Sequence, residues 1–121
     1  MLSVHSVVKT AAKTPSTPIE LPIDTLHTGV VDVLETSGES VEDLTDQNVQ
    51  ARIRGLLLMA LANERRALVL STGNKSELAV GYATLYGDMN GAVAVLGDLY
   101  KTEVQSMAEW VNAEPEQARF T

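Results

Sequence analysis

The stretch Leu70-Ser71-Thr72-Gly73-Asn74-Lys75-Ser76-Glu77 gathers groups suited to an anion or a metal. Thr72 offers a hydroxyl, Lys75 a positive charge and Glu77 a carboxylate. Nucleotide sites hold magnesium through one or two such carboxylates plus phosphate oxygens. A glycine turn here joins an apolar run to a helix start. In parallel α/β sheets ligands bind at the carboxyl ends of strands, and unpaired N–H groups at a helix start attract anions. The same residues also fit plain capping: with Asn74 as N-cap, Glu77 falls at the third helical position.

A second group is Asn48 with Arg52, four residues apart on one helix face. It borders an apolar stripe, where a helix meets a cleft. An amide and a guanidinium together suit a phosphate, carboxylate or amide ligand. A polar helix flank with a surface hydrogen bond is the competing reading. A third group, Tyr82-Ala83-Thr84-Leu85-Tyr86-Gly87-Asp88-Met89, places two aromatics, a glycine and an acid in one loop. There Asp88 serves either a ligand or the turn itself. Lys101, at the edge of a later helix, is placed to meet a phosphate or solvent. His5 and His27 lack metal-ligand spacing and read as structural or surface residues. Arg52, Arg54, Arg65 and Arg66 fall in one short stretch, either a solvated surface or a local anion site.

These groups need elements to hold them. Residues 3–8 and 18–23 read as short strands, the second ended by Pro22. A helix capped by Asp24 or Thr25 is expected to run to about Glu35. The clearest helix runs from Asp46 to Asn63, capped by Thr45 or Asp46. Its apolar stripe is Val49, Ile53, Leu56, Leu57 and Ala60. Residues 67–71 read as a buried strand, 75–82 as a helix and 92–96 as a weak strand. A last helix starts near Thr102, with Gln105 completing a capping box. Strands alternating with helices predict an α/β structure with a mainly parallel sheet.

Composition agrees. The 121 residues are the size of one domain, 45% hydrophobic and 21% charged. There is no cysteine, hence no disulfide or thiolate metal site. The net charge of −7 argues against a nucleic-acid partner. No apolar run reaches the roughly 18 residues that a membrane span needs. A cytoplasmic location is expected.

The blocks starting at Gln47-Asn48, Ser71-Thr72 and Val80-Gly81, with Lys101-Thr102, resemble in order and spacing the synthetase domain of NAD synthases. The third block is most similar to the bacterial glutamine-dependent type. The resemblance runs from about Pro18 to Asn112. It implies an adenine-nucleotide α-hydrolase-like (Rossmann-like) parallel sheet with helices on both faces, usually in a homodimer. It also implies a ligase that adenylates the carboxylate of deamido-NAD with ATP and magnesium. Ammonia, supplied in the glutamine-dependent type by a separate amidase domain, then gives NAD. By match, Thr72 would contact ATP, and Glu77 would bind magnesium and lie against deamido-NAD. Asn48, Arg52 and Tyr82 would contact that dinucleotide. Lys101 would steady the departing phosphates, and Asp88 would lie near the nicotinate end.

One departure bears on activity. The family's Ser-Gly-Gly-x-Asp-Ser loop, which binds pyrophosphate, is absent from these 121 residues. The expectation is a single partial synthetase domain, a fragment or a degenerate copy. Its alternative is a non-catalytic module that binds a dinucleotide or dimerises. An open sheet edge should leave the chain marginal or self-associating, with the Asp46 helix as the contact. The chain alone is therefore expected to make no NAD from ATP, deamido-NAD and ammonia. Detection of NAD in that assay would contradict the expectation.

Overall fold

A computed structural model describes residues 6–8 and 19–113. Its elements are β1 (Ser6–Val8), β2 (Ile19–Leu21), α1 (Asp24–Thr36), α2 (Asp43–Arg65), β3 (Leu70–Ser71), α3 (Lys75–Ala79), β4 (Val93–Ala94) and α4 (Lys101–Ala113). β1 pairs antiparallel with β2, and β3 pairs parallel with β4, Leu70 opposite Val93. The α/β class holds, but the described strands form two separate pairs, only one of them parallel. α1 packs on α2, and α3 on α4. Residues 3–5 and 18 of the predicted strands, His5 among them, and the connection over residues 9–17 lie outside the described residues.

α2 begins earlier than its sequence signals suggest. Glu42 is its N-cap, without a side-chain cap bond, so neither Thr45 nor Asp46 caps it. Asp46 lies one turn inside, where its carboxylate accepts hydrogen bonds from Gln50 Nε2 at 2.7 Å and from His27 Nε2 at 2.6 Å. An acid in the first turn is favourable beside the free N–H groups. His27 thus ties α1 to α2, a structural role. α1 itself starts after Ile23, which makes no side-chain cap bond, rather than being capped by Asp24 or Thr25.

The buried face of α2 also differs from the expected stripe. Ala51, Ile53, Gly55 and Ala62 are buried, whereas Leu56 is 62% exposed and Met59 41%. The cause lies in residues 82–90, which press against the small side chains. A methyl group added to Gly87 would sit 2.9 Å from the Ala51 Cβ, and one added to Gly55 would sit 2.8 Å from the Tyr86 carbonyl oxygen and overlap Asn90 Nδ2. Only residues without bulk admit backbone this close. The larger residues Val49, Leu56 and Met59 instead line an open groove with Val30 of α1.

β3 is shorter and less enclosed than predicted. Ser71 is buried and Val69 half-buried, but Leu68 and Leu70 on the other face are 77% and 52% exposed. The side-chain alternation of a strand explains this: one face meets the 82–90 loop and the other is uncovered among the described residues. α3 stops at Ala79 rather than Tyr82 because Gly81 turns left-handed, φ +71°. Gly81 N–H then bonds the Leu78 carbonyl and Tyr82 N–H the Glu77 carbonyl, which closes the helix end. α4 begins at Lys101, and Glu103, not Gln105, accepts the Tyr100 N–H at 2.7 Å. Gln105 reaches Glu109 instead.

Two glycine-to-alanine substitutions should act oppositely. At Gly55 the methyl meets backbone, and overpacking costs about 1–3 kcal/mol, more than the roughly 1 kcal/mol that alanine gains in a helix. At Gly29, inside α1 with nothing within 4 Å of an added methyl, the helix gain of about 0.5–1 kcal/mol stands alone. Urea unfolding followed by circular dichroism should show a lowered midpoint for Gly55→Ala and a raised one for Gly29→Ala. A raised midpoint for both contradicts the packing.

Candidate functional site

The site is built around the 82–90 loop. Asp88 folds it: its Oδ1 accepts the Thr84 N–H at 2.8 Å, and the Thr84 carbonyl accepts the Gly87 N–H at 3.0 Å. The carboxylate therefore supports the turn, one of the two roles open to it in the sequence. The loop is then joined to both halves of the site. On one side, Thr84 Oγ1 donates to Asn48 Oδ1 at 2.9 Å and Arg52 Nε donates to the Leu85 carbonyl at 3.2 Å. On the other side, Ser71 Oγ donates to the Asp88 carbonyl at 3.3 Å, and Tyr82 N–H reaches the Glu77 carbonyl at 2.9 Å.

The Ser71–Glu77 turn is capped as the competing reading had it. Asn74, 7% exposed, accepts the Glu77 N–H at 3.0 Å, and Glu77 Oε2 accepts the Asn74 N–H at 3.1 Å. Of the two readings open in the sequence, capping is the one realised, and it occupies N–H groups that an anion would need. The Glu77 N–H is taken by Asn74, and the Lys75 N–H is taken by the Leu99 carbonyl at 2.9 Å. With five residues, α3 also has little dipole to offer. The Lys75 side chain is turned toward the start of α4. Its Nζ lies 4.8 Å from the centre of the Tyr100 ring, a cation–π contact. Thr72 remains exposed beside the turn.

Lys101 is exposed at the start of α4, and its backbone N–H donates to Ser76 Oγ at 3.0 Å. That bond and the Lys75–Leu99 bond anchor the start of α4 beside α3. Asn48 and Asp88 thus share a hydrogen-bond network that runs through Thr84 to Ser71, and Arg52 bonds the same loop at Leu85. Glu77 bonds Tyr82 at the start of the loop, Lys101 bonds Ser76, and Thr72 follows Ser71 in the chain. The four arginines do not form one group. Arg52 and Arg54 lie near the middle of α2 and Arg65 and Arg66 at its end, about 16 Å along the axis at 1.5 Å per residue.

For magnesium, Glu77 keeps one carboxylate oxygen beyond its bond to Asn74. No group of three acidic, histidine or cysteine side chains able to hold a metal exists among the described residues. The donor set fits an ion carried mainly by nucleotide phosphates, with one protein carboxylate. Among the described residues no helix is long and apolar enough to cross a membrane.

Sequence reasoning passed over Thr84 and Ser76 as residues that hold the site, whereas Asn74 caps α3 as its position suggested. A signal existed for the first: an aspartate four residues after a threonine, around a glycine, is a turn-capping pattern. The links made by Ser71 and Ser76 cross 17 and 25 residues of chain, and no local pattern announces them.

The family model described as NAD synthase matches residues 5–118. A glutamine-dependent NAD(+) synthetase of Xanthomonas campestris pv. campestris is 63% identical over 70 residues, covering 58% of this chain and 13% of that protein. That of Thermotoga maritima is 48% identical over 101 residues, covering 77% of this chain and 18% of its own. The structure of the Acinetobacter baumannii glutamine-dependent NAD+ synthetase, in complex with adenosine diphosphate, superposes with a TM-score of 0.72 at 52% identity. It covers 75% of this chain and 17% of that one. The chain therefore spans less than a fifth of the length of these relatives. The shared fold is the adenine-nucleotide α-hydrolase-like α/β fold.

Proposed function

This chain belongs to the NAD synthase family, and from that premise we propose that residues 1–121 are part of a synthetase domain that amidates deamido-NAD. In the proposed reaction the nicotinate carboxylate attacks ATP and pyrophosphate leaves. Ammonia, drawn from glutamine as in the relatives' names, then displaces AMP and leaves the amide of NAD. The observation that supports this reading most is the 82–90 loop, which joins the Asn48 and Arg52 face of α2 to the turn carrying Thr72 and Glu77.

The role of each residue is the one the family resemblance implies, and its chemistry suits that role. Arg52 commits Nε to the Leu85 carbonyl, which leaves its two terminal nitrogens as a fork for a phosphate or carboxylate. Asn48 and Tyr82 complete the dinucleotide side. Thr72 offers its hydroxyl to ATP. Lys101, with its backbone anchored by Ser76, supplies positive charge where the pyrophosphate departs, the point at which charge builds in the transition state. Asp88 shapes the loop at the nicotinate end. Magnesium, when bound through Glu77 and the phosphates, would offset phosphate charge. Holding the carboxylate against ATP accounts for much of the remaining rate gain.

A homodimer belongs to the same proposal. Leu26, Val30 and Val33 of α1 and Leu56 and Met59 of α2 are exposed. Val30, Leu56 and Met59 line a groove of about 470 Å³ with Ile53 and Tyr86. Apolar residues so arranged favour association. That face also supports the second reading, a module that binds a dinucleotide or dimerises without catalysing. A cytoplasmic location and the absence of nucleic-acid and membrane partners complete the proposal.

Calorimetric titration with deamido-NAD, in the presence of ATP and magnesium, tests it. The chain should bind deamido-NAD, and Arg52→Ala should weaken binding about 10–100-fold, as expected for one charge-assisted bond. No binding by the unsubstituted chain overturns the proposal. Binding unchanged by Arg52→Ala moves the dinucleotide elsewhere.

A further inference from the structure

A side-chain amide recognises opposite chemistry depending on which end it presents. Its oxygen accepts from hydroxyls and amines, and its NH2 group donates to phosphate and carboxylate oxygens. The orientation of Asn48 therefore decides what it can bind. Thr84 Oγ1 lies 2.9 Å from Asn48 Oδ1 and donates to it. Thr84 is itself fixed, its N–H held by the Asp88 carboxylate and its carbonyl by the Gly87 N–H. Asn48 and Thr84 are both half-buried, so little water competes for the bond.

We infer that Thr84 is a positioning residue that turns the NH2 group of Asn48 outward, so that Asn48 and Arg52 together present donors to an oxyanion of the dinucleotide. Arg52 lies one turn further along the same face of α2 and carries donors only. Arg52 carries no acceptor, and the end of Asn48 turned outward is its NH2 group, its oxygen being turned toward Thr84. A group rich in acceptors fits this pair best, namely the pyrophosphate or the nicotinate carboxylate. The inference rests on the reading that Asn48 touches the dinucleotide.

The test titrates deamido-NAD and NAD calorimetrically into the full chain and its variants. Thr84→Val, nearly isosteric but without the hydroxyl, should weaken binding about tenfold, as should Asn48→Ala. The double variant should be no weaker than the worse single one, because both act through the same amide. Thr84→Ser keeps the hydroxyl and should bind like the unsubstituted chain. Asn48→Asp preserves the bond from Thr84 but replaces the donor with an oxygen, so it should bind at least tenfold more weakly. This variant decides the matter if Thr84→Val proves poorly folded by circular dichroism. Equal losses for both ligands identify the pyrophosphate as the acceptor, and a loss confined to deamido-NAD identifies the carboxylate.

If Asn48→Ala leaves affinity unchanged, or the unsubstituted chain binds neither ligand, the underlying reading of Asn48 fails and the inference with it. If Asn48→Ala weakens binding while Asn48→Asp or a folded Thr84→Val does not, the inference alone fails. Additive losses in the double variant, or a Thr84→Ser as weak as Thr84→Val, overturn it equally.

Discussion

The close approach of the 82–90 loop to the small-residue face of α2 is the constraint on which the site depends. Ala51, Gly55 and Gly87 let backbone lie where any larger side chain would hold it away. Only at that separation do Thr84 and Leu85 reach Asn48 and Arg52. The loop also carries strain. Tyr86 is left-handed at φ +63°, a conformation that costs a non-glycine residue about 1–2 kcal/mol. Its carbonyl accepts from Asn90 Nδ2 at 3.0 Å, and the packing around Gly87 holds the turn in place. The loop's exit is fixed as well, because the Ala92 N–H bonds the Val69 carbonyl beside β3 at 2.8 Å.

Polar order and apolar exposure divide the chain between them. Asn48, Arg52, Ser71, Asn74, Glu77, Thr84 and Asp88 are bonded to one another or to backbone, with Ser71 and Asn74 buried. The apolar residues of α1, α2 and β3 are largely uncovered among the described residues, with Val33, Leu56 and Leu70 all more than half exposed. The chain spans less than a fifth of the length of these relatives. Turns and caps order parts of this network locally, through Asp88 and Asn74, while the bonds from Asn48 and Arg52 to the loop span 36 and 33 residues.

The sequence made the element order and the main helix legible, because turn residues and helical periodicity are local. It also marked the loops that carry the candidate site, since glycine beside polar residues has few other uses. The buried side of α2 was not legible. Periodicity picks the largest apolar residues, yet the partner is a backbone loop that selects the smallest, Ala51 and Gly55. The cap of α4 was misplaced for a related reason. The start of α4 is fixed by bonds from Lys75 and Lys101 to groups distant in the chain, and these override the signal at Thr102 and Gln105. The free N–H groups expected at α3 were equally beyond reach, because the carbonyl of Leu99 that occupies one of them lies 24 residues further on. The chemistry of Asn48, Arg52, Thr72, Glu77 and Lys101 was visible as residue types, and what joins them was visible only in three dimensions.

The seating of the loop on α2 can be observed directly by nuclear Overhauser spectroscopy of the full chain. A strong cross-peak between the methyl protons of Ala51 and the α-protons of Gly87 is predicted. With both resonances assigned and sharp, its absence would mean that the loop stands away from the helix, and the two halves of the site would no longer share one network.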